Sequence, residues 1–455
     1  MTPLKRLGGF LYEKPRGFVY RQVYVTAQEF ISTEASSGIV LLLAAVVALI
    51  WANSPWDASY FDLWHTHVSI DTDIVHIDLD LQEWVNDGLM TLFFFVAGLE
   101  IKRELVRGDL STPSRAFLPA AAALGGMIAP ALIFLGFNAG QEGVDGWGVP
   151  MATDIAFAVG VLSLLSRRIP SSLRSFLLAL AIADDIGSIL VIAVFYTSEI
   201  DYLALGFAAL MLACAFACNR AGVRTINVYV AIGALLWVGL LESGVHATLT
   251  GVLLGLLTPA SSHYNPLSFE ESAEDIVHRY RLAAESGNEE GEEQALQQME
   301  DLAKGTAPVL ERLERALVGW VSFLIVPLFA LANAGVHIDS EVADAAIRSP
   351  VAQGVALGLV IGKPLGIFLF TWLAVRLRLC EKPEGASWSQ LLGVGMIAGI
   401  GFTISLLISD LAFQDSLLGD EAKLGVLAGS TIAGVIGYTF LRWTSRNHVE
   451  AGATA

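Results

Sequence analysis

Apolar residues recur along this chain in blocks of about twenty, separated by short polar joints. A helix of that length crosses the ~30 Å hydrocarbon core of a bilayer. Lipid cannot hydrogen-bond the backbone, so such blocks predict spanning helices, whose polar groups are satisfied internally. The pattern predicts twelve spans, at 36–54, 86–103, 116–137, 147–165, 173–197, 202–219, 226–241, 244–258, 313–335, 352–375, 388–411 and 422–442. Several are shorter than 20 residues or rich in Gly and Pro, so ten or eleven spans also fit. The chain divides into an N-terminal segment 1–35, a transmembrane domain 36–442 and a tail 443–455.

Composition agrees with an all-α integral membrane protein. Hydrophobic residues make up 54% and charged residues 16%, with a mean hydropathy of +0.60. Soluble proteins carry about 25% charged residues. No cleavable signal peptide is expected before Ser37, and the first apolar block then serves as the targeting signal. Cys214, Cys218 and Cys380 imply no disulfide framework.

Charge placement tests the layout independently. With the N-terminus cytoplasmic, 24 of the 27 Lys and Arg fall inside or at inner helix ends, among them Lys5, Lys14, Lys102, Arg167, Arg220, Arg376 and Arg442. Arg348 and Lys423 fall outside, and Lys363 lies within a span. That asymmetry is the positive-inside pattern, and it predicts both termini cytoplasmic in a bacterial inner membrane.

Two loops are long. The outer loop 55–85 is acidic, and its alternating stretch Val68–Ile74 fits a β-hairpin whose exposed edge is a candidate homodimer contact. The inner loop 259–312 is acidic too, and reads as solvated helix around the turn Ser286-Gly287-Asn288. It is either a surface insertion or a regulatory segment. The net charge of −18 comes largely from these loops, so it points to no nucleic-acid partner.

Ionisable groups inside spans cost several kcal/mol and mark function by default. Asp184 and Asp185 lie mid-span in Ala181-Ile182-Ala183-Asp184-Asp185-Ile186-Gly187. A protonated carboxyl group is neutral, whereas an ionised one is a hard oxygen ligand suited to Na⁺. Each carboxylate therefore holds either a proton or the cation, and that competition is the chemistry of antiport. A structural pair held by neighbouring hydroxyls is the bland alternative. Asp154 follows Thr153 in a poor helix interior, where short polar side chains compete for the backbone. It either compensates a positive helix end or binds the cation directly. Lys363, in Gly362-Lys363-Pro364, needs a carboxylate partner or a negative helix end. One of the midplane aspartates is the expected partner, and stabilising a broken helix is the alternative.

Gly393, Gly395, Gly399 and Gly401 weaken the eleventh span by roughly 1 kcal/mol each, unless they serve close packing. The Thr-Asp span is fourth and this one eleventh, second within the triplets 3–5 and 10–12. Discontinuous helices at matching places predict an inverted-topology repeat with its site at the midplane. Glu100, Arg103 and Glu104 stand at the inner end of the second span, as the mouth of a cytoplasmic funnel or an ordinary interfacial cluster. His246 reads as a satisfied structural histidine.

At these residues the chain closely resembles the NhaA family of bacterial sodium/proton antiporters, from about residue 20 to 442. Ala152-Thr153-Asp154-Ile155-Ala156-Phe157-Ala158, Ala181–Gly187, Gly362–Gly366, Gly399–Ile404, Asn333–Val336 and Gly244–Thr248 carry the likeness. The resemblance implies electrogenic exchange of Na⁺ or Li⁺ for more than one H⁺, activated at alkaline pH, with both ions bound at Asp184 and Asp185. It puts Thr153 and Asp154 at the crossing of two broken helices near Lys363. It ties the cluster of Glu100, Arg103, Glu104 and Glu314 to pH response. Arg315 and Val318 depart from histidines found in some members, and the loop 259–312 is longer than usual. No cofactor and no enzymatic activity are implied. An intramembrane aspartyl protease would need its aspartates on separate helices, and a lone buried lysine disfavours a passive channel. A sodium-coupled symporter is the nearer rival.

Overall fold

The computed structural model describes residues 34–445, apart from 72–75, 109, 166–167, 198–199, 224–225, 261–265, 307, 339–343, 345 and 414–416. Nearly all of the N-terminal segment, most of the tail, and the basic residues Lys5, Lys14 and Arg167 lie outside the described residues.

The chain begins with α1 (Glu34–Ala52), turns by 116° into the short α2 (Asp57–Trp64), and then forms a hairpin. Helix α2 was not foreseen within the loop 55–85. Its Tyr60 and Trp64 are buried, and Tyr60 donates to Leu331 O at 2.7 Å. Strands β1 (His67–Asp71) and β2 (His76–Asp80) pair antiparallel, with Ser69 opposite Asp78. The hairpin thus spans most of the alternating stretch, although Thr72–Val75 lie outside the described residues. All of β1 is exposed.

Helices then follow at the predicted places: α3 (Met90–Val106), α4 (Pro113–Asn138), a 3-10 segment Glu142–Met151 leading to α5 (Ile155–Ser163), and α6 (Ser171–Phe195). Next come α7 (Tyr202–Arg220), α8 (Ile226–Glu242) and α9 (Leu249–Leu257). The described part of the long loop 259–312 is a helical pair, α10 (Pro266–Ser286) and α11 (Glu289–Thr306), reversed at Gly287 with φ 67°. That positive φ suits glycine just beyond a helix end. Ile276, Ala295 and Leu302 give the pair a small core of its own. The chain closes with α12 (Val309–Asn333), α13 (Pro350–Arg376), α14 (Trp388–Ala398), α15 (Phe402–Phe413) and α16 (Leu417–Thr444).

Among the described residues, six helices are by themselves long and apolar enough to cross a bilayer, and nine are if each of three bent pairs counts as one span. Leu124, Ile128 and Leu132 recur every fourth residue as an exposed apolar stripe on α4. Such a stripe has an obvious neighbour in lipid and none in water.

Two groups of helices pack together. In one, α4 lies along α13 and α6, while α16 lies along α13 and α14. In the other, α1 packs on α12, α3 on α9, and α7 on α8. The groups meet where α1 touches α5 and α3 touches α6. Gly125 and Gly366 bring α4 and α13 into backbone contact, since a Cβ on Gly366 would stand only 2.6 Å from Gly125 C. Widened turns interrupt α12 at Val321–Ile325 and α13 at Gly358–Gly362, each shortly before a proline, Pro327 and Pro364. Proline removes a ladder donor and crowds the carbonyl four residues back, and a wider turn relieves that clash.

Candidate functional site

Two breaks lie against each other in the interior. The first separates the 3-10 segment from α5 with a bend of 42°, and the second separates α14 from α15 with a bend of 47°. Pro150 precedes the first break, and Gly399 and Gly401 frame the second. The backbones touch there, where Asp154 N–H donates to Ile400 O at 2.7 Å. Of the four glycines, Gly393 and Gly395 remain helical and pack on Leu441 and Pro364, so breaking and packing are both represented.

Four helix ends at the crossing leave donors and acceptors that the interior cannot hydrate. Asp154 serves both N-terminal ends. Its Oδ1 accepts from Phe157 N–H at 3.0 Å, and its Oδ2 accepts from Thr403 N–H at 3.2 Å and Thr403 Oγ1 at 2.8 Å. The C-terminal ends are met by donors: Thr153 Oγ1 donates to Ala398 O at 3.0 Å, and Lys363 Nζ donates to Met151 O. Ser405 Oγ adds a bond to Val149 O at 2.7 Å, and Ser430 Oγ accepts from Gly401 N–H at 3.2 Å. Both of Asp154's oxygens are engaged in capping, so the geometry favours compensation of helix ends over direct cation binding.

Asp184 and Asp185 lie on α6 beside this crossing, 1% and 5% exposed. Lys363 Nζ donates to Asp184 Oδ2 at 2.8 Å, and the lysine is itself 1% exposed. The expected aspartate partner and the alternative, a helix end, are thus both present, since Lys363 meets Asp184 and Met151 O together. Asp184 Oδ1 and Asp185 Oδ1 are buried without a hydrogen-bond partner. The charged groups acting on Asp185 are Asp184, Glu100, Lys363 and Asp154.

Glu100 connects that pair to the cluster at the C-terminal end of α3, where its charged neighbours are Glu314, Arg103 and Glu104. Arg103 is bonded to Glu314 and lies 3.6 Å from Glu104 Oε1. One turn on, Arg107 pairs with Glu311 at 2.8 Å, so two ion pairs tie α3 to α12. His246 is satisfied by Tyr196 O at 2.7 Å, as read from sequence.

At the other end of the spans, the two basic residues placed outside are both paired. Arg348 meets Asp344 at 3.1 Å, and Lys423 meets Asp410 at 2.8 Å. Asp410 also accepts from Asn86 at 3.5 Å, and Asn86 exchanges hydrogen bonds with Asn333. Sequence reading missed this cluster, and missed Ser405 and Ser430. Asn86, at the start of a span, and Asp410, in the apolar run of Phe402–Phe413, were signals it could have used.

Comparison with known proteins gives a consistent result. The family model described as Na+/H+ antiporter 1 matches residues 28–441. The chain is 48% identical over 436 residues to Na(+)/H(+) antiporter NhaA 2 of Sorangium cellulosum, covering 96% of this chain and 93% of that protein. It is 46% identical over 417 residues to Na(+)/H(+) antiporter NhaA 2 of Syntrophotalea carbinolica, covering 91% and 95%. With Na(+)/H(+) antiporter NhaA of Rhodopirellula baltica it shares 47% identity over 415 residues, covering 91% and 93%.

Proposed function

Given that the chain belongs to the Na+/H+ antiporter 1 family, we propose that it exchanges Na⁺ for H⁺ by letting the two ions compete for Asp184 and Asp185. Membership makes it a multi-pass membrane transporter of sodium and protons and not an enzyme. The observation that carries the finer reading is the buried pair itself: two adjacent carboxylates, one held by Lys363, each with an oxygen that no protein donor reaches. A buried carboxylate oxygen without a partner costs free energy that a proton or a cation recovers. Sodium at Asp184 competes with Lys363 as well as with the proton.

The same reading includes twelve spans, an inverted repeat of spans 3–5 and 10–12, and alternating access at the crossing. The facing breaks and the four served helix ends support it. Exchange of more than one H⁺ per Na⁺ or Li⁺ fits a site with two carboxylates. Activation at alkaline pH fits the chain of charged groups from Glu314, Arg103 and Glu104 through Glu100 to Asp185. Placement in a bacterial inner membrane with both termini cytoplasmic rests on the basic-residue asymmetry. Contact with lipid rests on the exposed apolar stripes, and a homodimer on the exposed hairpin.

Everted vesicles with a pH-sensitive dye, challenged with Na⁺, Li⁺ and K⁺ across the neutral to alkaline range, test this directly. Wild type collapses the proton gradient with Na⁺ and Li⁺. Asp184→Asn and Asp185→Asn each abolish the response while remaining folded. Wild-type exchange in either variant would sink the assignment of the pair.

A further inference from the structure

The turn of α6 that carries the two aspartates holds a third buried oxygen. Ser188 is 1% exposed, and its Oγ has no hydrogen-bond partner. Hydroxyls in helices commonly bond back to a carbonyl three or four residues earlier. Others in this chain do so: on α16, Thr431 donates to Leu427 O at 2.7 Å, Thr439 to Val435 O at 2.8 Å and Thr444 to Phe440 O at 3.0 Å. Ser188 does not, although the same option is open to it.

An unpaired hydroxyl in an interior is costly and calls for an explanation. Its position supplies one. Residues three and four apart share a helix face, so Ser188 stands beside both Asp185 and Asp184. Seven buried side-chain atoms lack a partner among the described residues, and three of them are Asp184 Oδ1, Asp185 Oδ1 and Ser188 Oγ. Their concentration on one turn separates them from the scattered others. A hydroxyl adds a neutral, hard oxygen to two carboxylate oxygens, which is what an alkali cation takes as it loses its water.

We propose that Ser188 Oγ is a ligand of the transported cation, the neutral third oxygen beside Asp184 and Asp185. The inference rests on the carboxylate reading above. Proton binding has no need of this hydroxyl, so its loss acts on the cation side of the exchange. The larger cation, which takes more oxygens, is affected more than the smaller one.

The test is Ser188→Ala in the vesicle assay, with half-saturating Na⁺ and Li⁺ measured separately. Removing an unpaired polar group leaves the protein folding at least as well, which a melting curve of the purified transporter checks. Half-saturating Na⁺ rises roughly three- to tenfold, the effect of losing one neutral contact, and half-saturating Li⁺ rises less. At a fixed subsaturating Na⁺ the proton competes better, so exchange needs a more alkaline pH, and Ser188→Thr, which keeps the oxygen, restores Na⁺ affinity. Unchanged Na⁺ half-saturation in Ser188→Ala, or equal losses for both cations, overturns the ligand role. Should Asp184→Asn in the same series abolish exchange, only the serine is at fault; should it exchange normally, the carboxylate reading falls first.

Discussion

Asp154 and Thr403 stand 249 positions apart and are joined twice, with Asp154 Oδ2 taking both the backbone N–H and the hydroxyl of Thr403. The same carboxylate caps its own helix through Phe157. One side chain therefore closes two helix N-termini, where a negative charge also favours the local dipole. Asp154→Ala strands those buried donors, at roughly 1–3 kcal/mol each. Its melting temperature falls well below that of wild type. Asp154→Asn keeps an acceptor, loses the charge and falls less. Equal melting of Asp154→Ala and wild type, read by loss of monodisperse protein on heating, would show that the caps contribute nothing.

Lys363 and Asp184 form a fully buried ion pair, and removing one partner leaves the other charge without compensation. Such a change costs about 3–5 kcal/mol. Lys363→Gln therefore melts well below wild type. Combined with Asp184→Asn it recovers part of that loss, because Asp184 is then no longer a charge stripped of its partner. A double-mutant cycle on melting of purified protein reads the coupling. Strict additivity would mean that the two groups do not stabilise one another.

The two ion pairs between α3 and α12 differ in surroundings. Arg103 stands among Glu100, Glu104 and Glu314, whereas Arg107 and its partner Glu311 lie nearer solvent. Arg103→Gln leaves a carboxylate cluster without its cation, and such a cluster sheds protons less readily. The activation of exchange moves toward more alkaline pH. Arg107→Gln, at a surface pair worth about 0–1 kcal/mol, leaves the profile in place. Equal shifts in both, measured as initial rate against pH, would refute a special role for the inner cluster.

The hairpin offers a fourth test. Val68 and Ile70 are 41% and 47% exposed on β1. Charged residues on an exposed strand oppose edge-to-edge pairing. The double change Val68→Lys and Ile70→Lys shifts the purified protein from dimer toward monomer in light scattering, with exchange in vesicles kept. A dimer of unchanged strength would place the interface elsewhere.

The helices were legible because lipid demands long apolar runs, and the inner helical pair because its turn carries Gly287. The spans themselves were less legible. Helix α9 has only nine residues, and α2 hides among polar neighbours, so length and hydropathy say little of either. At the site, charge in an apolar run exposed Asp184, Asp185, Asp154 and Lys363, since burial there is costly enough to stand out. The hydroxyls did not stand out. Ser188, Ser405 and Ser430 are common in membrane helices for packing alone, and only the geometry shows which oxygens are engaged. Pairs such as Asp410 with Lys423 form only when the consecutive helices α15 and α16 fold back on one another, an orientation that periodicity cannot supply.

The facing breaks at the crossing also have a mechanical meaning. An uninterrupted helix resists bending because each turn is bonded to the next, so displacement at one end is felt at the other. Neither the run from the 3-10 segment to α5 nor the run from α14 to α15 has that continuity. Each half keeps its own ladder, and the two runs are held to one another by the bonds of Asp154, Thr153, Thr403 and Ser405 and by the backbone bond from Asp154 to Ile400. The crossing thus joins four half-helices by side-chain and backbone bonds rather than by a continuous ladder, and it lies beside the turn of α6 that carries both aspartates.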